Sequence, residues 1–201
     1  MGFDNIYRWI GFVLLLIGGG ISRYFRSRAD QSGEEISPQG EGALLLTLRR
    51  TVGLGMWLSV LVYLINPRWM AWSQFELPEW VRWSAVGMMA LCIPLLYWMF
   101  RSLNDNVTPT VAIREEHQLV TGGPYRWIRH PLYTFGFVFF ISFSLMAANG
   151  LILVMTLLTL MIIMARTPIE EERLMERFGE EYREYMQRTG RYLPRIRPWK
   201  G

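Results

Sequence analysis

Histidine, cysteine and lysine are nearly missing from this 201-residue chain. It has two histidines (His117 and His130), one cysteine (Cys92), and Lys200 as the one lysine among twenty-one cations. A single cysteine excludes an intrachain disulfide framework. Two histidines with no cysteine beside them leave no ligand set for a zinc centre, so no metal is expected. Charge is also missing from four stretches: Trp9 to Ser22, Thr51 to Pro67, Trp83 to Phe100 and Pro131 to Ala165. Ionisable residues are therefore lacking inside the apolar runs, which argues against an ion pump or transporter. Gly18-Gly19-Gly20 lies inside the first run with no strand before it, so it is not a dinucleotide loop. The start Met-Gly-Phe-Asp-Asn-Ile lacks Ser or Thr at position six, against myristoylation, and no internal repeat is found.

What remains is strongly apolar: 51% hydrophobic and 14% aromatic residues, with nine Trp. A bilayer core of ~30 Å needs about 20 mostly apolar residues in helix. The first three runs reach that length with Tyr7, Tyr24, Trp69 and Trp80 as interfacial neighbours. The fourth is enough for two short spans, and Asn149-Gly150 near its middle supplies the turn. The expected fold is an all-α integral membrane protein with five transmembrane helices. Arg23, Arg26 and Arg28 directly follow the first run, which reads as a stop-transfer flank rather than a signal-peptide cleavage region. The net charge of +4 marks topology rather than nucleic-acid binding. With five spans, Arg8, Arg68 and Arg82 fall on one side and the other eighteen cations on the opposite side. This puts the N-terminus outside and the C-terminus in the cytoplasm.

Two halves are expected. Residues 1–102 hold three spans, with a polar, mobile cytoplasmic loop near 27–42 and Pro94 as a kink in the third span. Residues 103–201 divide into a polar cytoplasmic loop (103–130), a transmembrane hairpin (131–166) and charged cytoplasmic helices (167–189). In the last part, Thr167 has the chemistry of an N-cap, Pro168 of a first helical residue and Glu170 of a capping-box partner; Gly179 should break the helix after Phe178. Tyr182 and Tyr185, with Phe178, are expected to pack this helix down. The outer loops carry almost no polar chemistry, so function should face the cytoplasm.

Two segments could carry chemistry. In Gly122 to Tyr133, the glycines permit close backbone approach to a ligand, Pro124 and Pro131 fix the chain, and a helix begins at Pro131. Its free backbone donors could hold an anion. A membrane-entry turn, with Arg126 and Arg129 anchored to head groups, fits the composition of this segment better when it is taken alone. In Arg166 to Glu172, a cation ends a span beside three carboxylates, which also reads as a plain helix boundary.

Taken together, the segments change the reading. His117-Gln-Leu-Val120, Gly123-Pro-Tyr125, Arg129-His-Pro-Leu-Tyr133, two spans, Arg166-Thr with Glu170-Glu171 and Leu174, then Phe178-Gly-Glu-Glu-Tyr182 and Tyr185 form one ordered set. It resembles the isoprenylcysteine carboxyl methyltransferase family, within a wider group that includes phospholipid N-methyltransferases. The resemblance covers roughly residues 103 to 196. It implies S-adenosylmethionine as cofactor, bound by His117, Gln118, Leu119, Val120, Tyr125, His130, Pro131, Leu132, Tyr133 and Glu170. It also implies Arg166 at a methyl-accepting carboxylate; an amine acceptor would instead have to lose a proton, which makes Glu171 a further catalytic candidate. The departures are Pro168-Ile169, where some members carry further acidic residues, and Thr110, where some carry Gln. The expected substrate is a lipophilic or lipidated carboxylate, such as an isoprenylcysteine-like or isoprenoid acid, met at the membrane lipid boundary. A phospholipid amine acceptor and a non-catalytic lipid-binding scaffold are the alternatives; nothing bears on oligomeric state.

Overall fold

The computed structural model describes residues 3–30, 42–103 and 119–195. They form five helices: α1 (Phe3–Asp30), α2 (Ala43–Ile65), α3 (Glu79–Leu103), α4 (Pro131–Ala147) and α5 (Gly150–Arg188). Short 3-10 turns lie at Pro67–Ser73 and Gly123–Arg126. The described residues contain no strand, only two isolated bridges, so the all-α expectation holds for them. Helices α1, α2, α3 and α5 are long and apolar enough to cross a membrane. Helix α4, expected as a span of its own, is apolar but has only 17 residues, a length of about 25 Å.

The α4–α5 turn forms where Asn149-Gly150 predicted it. Ala148 takes a left-handed conformation (φ 48°), and the fully buried Asn149 caps α5 by accepting from Ile152 N at 3.2 Å. Its amide donates to Ser73 Oγ at 2.8 Å, and Phe75 N donates to Ala148 O at 3.0 Å. The α2–α3 connection and the α4–α5 turn therefore sit together at one end of the bundle. Arg82 closes this end: its Nε donates to Met146 O at 2.8 Å, and its guanidinium lies 3.8 Å over the Tyr7 ring.

Packing pairs α4 chiefly with α3, and α5 with α2. Tyr63, Met89, Phe139, Phe143, Met146 and Ile152 fill the core between them. Leu54, Trp57, Leu61, Val154, Met161 and Met164 point outward and are exposed. In lipid such residues gain nothing by turning inward, so helix contacts rest on shape and on satisfied polar groups. Ser144 and Thr156 obey this rule, each donating to a carbonyl four residues back at 2.8 Å.

Two local expectations need correction. Helix α1 continues through Ser27 to Asp30, residues assigned to the loop; residues 31–41 lie outside the described residues. Similarly, no new helix begins at Thr167-Pro168. Helix α5 runs through both, and the Thr167 hydroxyl donates back to Ile163 O at 2.7 Å instead of capping. Pro168 lacks the donor that the Met164 carbonyl would receive, yet the helix continues through it. The break at Gly179 occurs as expected (φ 55°, ψ −125°), a conformation open to glycine, and Tyr182 and Tyr185 beyond it are buried.

Candidate active site

The other end of the bundle gathers the end of α3, residues 119–130, the first turn of α4 and the second half of α5. Gly123 fixes the approach. It has φ +59°, and a Cβ there would stand 2.0 Å from Ser102 Oγ on α3. The close backbone approach expected of this glycine is thus to α3. Tyr125 and Leu132 pack beside Met99 and Phe100 of α3, with Phe25 of α1 stacked on Phe100.

His130 precedes α4 as its N-cap residue and Pro131 takes the first helical position, both buried. One turn on, Tyr133 stacks on the His130 ring, centroids 5.4 Å apart and planes within 6°. The Tyr133 hydroxyl donates to Glu170 Oε2 at 2.7 Å and accepts from Arg166 Nη1 at 3.2 Å. Arg166 and Glu170 are also an i,i+4 pair on α5, 3.9 Å apart. Arg166 is 6% exposed although it stands where the apolar run ends. Glu170 serves Tyr133 here, so the capping-box role is not realised.

Glu171 faces the other way and is the most heavily committed group of the site. It is 2% exposed; Arg129 Nε donates to its Oε1 at 2.8 Å, His130 Nε2 lies 3.3 Å from the same oxygen, and Arg191 Nη2 donates to Oε2. Burial alone would raise its pKa. The hydrogen bonds from His130, Arg191 and Arg129 outweigh that and hold the carboxyl down at about 2. Burial pushes the Tyr125, Tyr182 and Tyr185 phenols up, so all three stay neutral. Tyr185 uses its hydroxyl on Tyr125 O at 2.7 Å.

Of the residues expected at the site, Tyr133, Arg166 and Glu170 form one bonded group and His130 and Glu171 another, and the His130–Tyr133 stack joins the two. Tyr125, Pro131 and Leu132 lie beside them. Leu119 and Val120 are half-buried at the start of the described segment, and His117, Gln118 and Thr110 lie outside the described residues. Sequence reading missed the partners that complete the cluster. Arg129, read as a head-group anchor, has a buried side chain and also donates to Met186 O and Thr189 O, at 3.2 and 2.6 Å. The segment after α5 pairs with residues 127–130: Gly190 N donates to Trp127 O, Arg129 N to Gly190 O and His130 N to Arg191 O. Arg126 is exposed, with its guanidinium 5.3 Å from the Trp127 ring centroid.

A cation, a neutral phenol and a carboxylate thus stand in hydrogen-bonding sequence at the end of an apolar helix. Such a set can orient an anionic group at the arginine and hold a cationic or hydroxyl group at the carboxylate. No group of three or more His, Cys, Asp or Glu able to hold a metal occurs among the described residues.

Comparison with known proteins adds an independent line. The family model described as phospholipid methyltransferase matches residues 80–181, half of the chain. A protein-S-isoprenylcysteine O-methyltransferase of Homo sapiens is 40% identical over 129 residues, covering 63% of this chain and 45% of that protein. The Tribolium castaneum enzyme of the same name is 37% identical over 86 residues, covering 42% and 31%. A probable one from Oryza sativa subsp. indica is 32% identical over 126 residues, covering 60% and 66%. The chain thus spans less than half the length of the human and Tribolium proteins. Among solved structures, the eukaryotic intramembrane Ras methyltransferase, an isoprenylcysteine carboxyl methyltransferase, superposes with a TM-score of 0.54 at 22% identity. The match covers 97% of this chain and 64% of that one, a likeness of fold.

Proposed function

Because the chain belongs to the phospholipid methyltransferase family, we propose that it is a multi-pass membrane methyltransferase. In this reading it transfers a methyl group from S-adenosylmethionine to a lipophilic carboxylate such as that of an isoprenylcysteine. One observation carries the reading: Tyr133 bridges the buried Arg166 to Glu170, at 3.2 and 2.7 Å, where the apolar stretch of α5 ends. An acceptor entering from lipid and a donor entering from water would meet at that boundary.

The residues present fit the donor's chemistry. S-adenosylmethionine supplies, when bound, an electrophilic methyl on a sulfonium. Glu170 commits Oε2 to Tyr133, and its Oε1 makes no hydrogen bond among the described residues. That leaves a half-buried carboxylate oxygen suited to an ammonium or to ribose hydroxyls. Tyr133, which donates to that carboxylate, is stacked on the His130 ring. Arg166 would orient the acceptor carboxylate by a two-pronged hydrogen bond. A carboxylate is ionised at neutral pH and needs no general base, so positioning and exclusion of water supply the catalysis.

The same geometry favours one acceptor class. An amine must lose a proton before it attacks, and Glu171 is the obvious candidate base. With a pKa held at about 2 by its hydrogen-bond partners, Glu171 is a poor proton acceptor. We therefore assign Glu171 a positioning role and favour the carboxylate acceptor over the phospholipid amine. Family membership and the site geometry weigh against the scaffold alternative.

Five crossings are the topology we favour. Helix α4 begins at the site and ends at the opposite end of the bundle, where Arg82 reaches the Met146 carbonyl. With five crossings the distribution of arginines puts the site on the cytoplasmic side. Binding of S-adenosylhomocysteine to the folded protein in nanodiscs, followed by methylation of a farnesylated cysteine analogue, tests the function. Absence of binding would sink the enzyme reading. Binding with methylation confined to phospholipid amines would replace the acceptor.

A further inference from the structure

We propose that Arg191 and Tyr192, just beyond α5, are positioning residues that set the cofactor end of the site by fixing His130. The inference rests on the methyltransferase reading above and deepens it. The segment is seated by backbone bonds: Arg129 N to Gly190 O at 2.8 Å, His130 N to Arg191 O at 3.0 Å, and Gly190 N to Trp127 O at 3.0 Å. Thr134 Oγ1 adds a bond to Tyr192 O at 2.7 Å. From this seat two side chains act on one imidazole. Arg191 donates to Glu171 Oε2, and the other oxygen of that carboxylate lies 3.3 Å from His130 Nε2. The Tyr192 ring reaches the same imidazole, with centroids 5.9 Å apart.

His130 passes the constraint on. Its ring stacks on Tyr133, whose hydroxyl stands between Arg166 and Glu170. A chain of contacts therefore runs from Arg191, whose side chain is 41% exposed, through Glu171, which is 2% exposed, to the reacting end of the site. Loss of Arg191 leaves a buried carboxylate one partner short, and the imidazole it orients gains freedom. That freedom falls on the first turn of α4, which carries His130 and Tyr133. Arg166 loses at most its bond to Tyr133 and keeps its pairing with Glu170 on α5. The two substrates should feel the loss unequally: the methyl donor strongly, the acceptor hardly at all.

The test uses the full chain in nanodiscs, with S-adenosylhomocysteine as the calorimetric probe and a farnesylated cysteine analogue as acceptor. Arg191→Ala should weaken the probe roughly tenfold, in line with the loss of one charge-assisted hydrogen bond, and leave the acceptor KM unchanged. Arg191→Lys should restore most of the affinity. Arg191→Ala combined with Glu171→Gln should bind no worse than Glu171→Gln alone, since both act through one link. Tyr192→Leu keeps the backbone seat, should show the same donor-selective loss, and carries the test if Arg191→Ala does not fold. Wild-type affinity in both Arg191→Ala and Tyr192→Leu would overturn the proposal. So would an equal rise of both KM values, the mark of general loosening. A wild-type chain that binds no S-adenosylhomocysteine removes the methyltransferase reading itself, a separate outcome.

Discussion

Tyr133 donates its phenolic hydrogen to the Glu170 carboxylate across 2.7 Å, tying the first turn of α4 to the middle of α5. Tyr133→Phe keeps the ring on His130 and removes only that bond and the one received from Arg166. Turnover should fall by roughly tenfold, the effect of a hydrogen bond to a charged group, with little change in thermal stability. Steady-state rates and a melting curve on the same preparation check both halves.

Glu170→Gln separates charge from shape. The amide oxygen can still accept from Tyr133, so the fold should be kept, while an ammonium or ribose partner loses its anion. S-adenosylhomocysteine affinity should drop by roughly ten- to hundredfold, as for a charge-assisted bond. Calorimetric titration returning the wild-type constant would leave Glu170 with a structural role alone.

Arg166→Ala addresses the other substrate. In the carboxylate reading it should abolish measurable turnover, a loss of at least about a hundredfold if the guanidinium orients the reacting group. Affinity for S-adenosylhomocysteine should hardly change. Full activity in this variant, measured with the farnesylated cysteine analogue, would exclude the carboxylate acceptor.

The Glu171 carboxyl sits at about 2, below its ordinary value of 4.5. A depressed carboxylate pKa gives stability that is present above the unfolded value and lost as pH falls through the folded one. Thermal stability in detergent should therefore decline between about pH 4.5 and pH 2, and Glu171→Gln should flatten that decline. At neutral pH the same variant should be destabilised by roughly 3–5 kcal/mol, because Arg129 loses its anion in a buried setting. A melting series across pH with both chains would show otherwise if the two curves ran parallel.

Gly123→Ala should lower the melting temperature. Its positive φ costs about 1–2 kcal/mol for any residue with a Cβ, and the new methyl meets Ser102. Ser102→Gly should recover only the steric part. Full recovery in the double variant would show that φ at this position relaxes freely.

The helical architecture was legible because apolar runs and their charged flanks are local signals. Asn149-Gly150 placed the hairpin turn, and Gly179 placed the bend in α5. The start of a helix at Thr167 was misread, since Thr-Pro-x-Glu has the chemistry of a cap wherever it occurs. Only the structure shows the Thr167 hydroxyl turned back to Ile163. Five residues of the candidate cluster were named from sequence through an ordered motif set. Arg191 and Tyr192 were not, because their partners lie some 20 to 60 residues earlier in the chain and backbone pairing of a short segment leaves no periodic trace.

Helix α5 carries the apolar stretch from Gly150 and, without interruption, both Arg166 and Glu170. Those two groups cannot change depth independently of the segment below them; they are separated by four residues, about 6 Å of rise. Bilayer thickness thereby becomes a variable of the chemistry. A thicker hydrocarbon layer draws Arg166 toward the acyl chains, and a thinner one lifts it toward the head groups, at a modest cost for each ångström of mismatch. If the carboxylate reading is right, the rate in vesicles of graded acyl length should pass through a maximum, at the thickness that levels the Arg166 guanidinium with the acceptor's carboxylate.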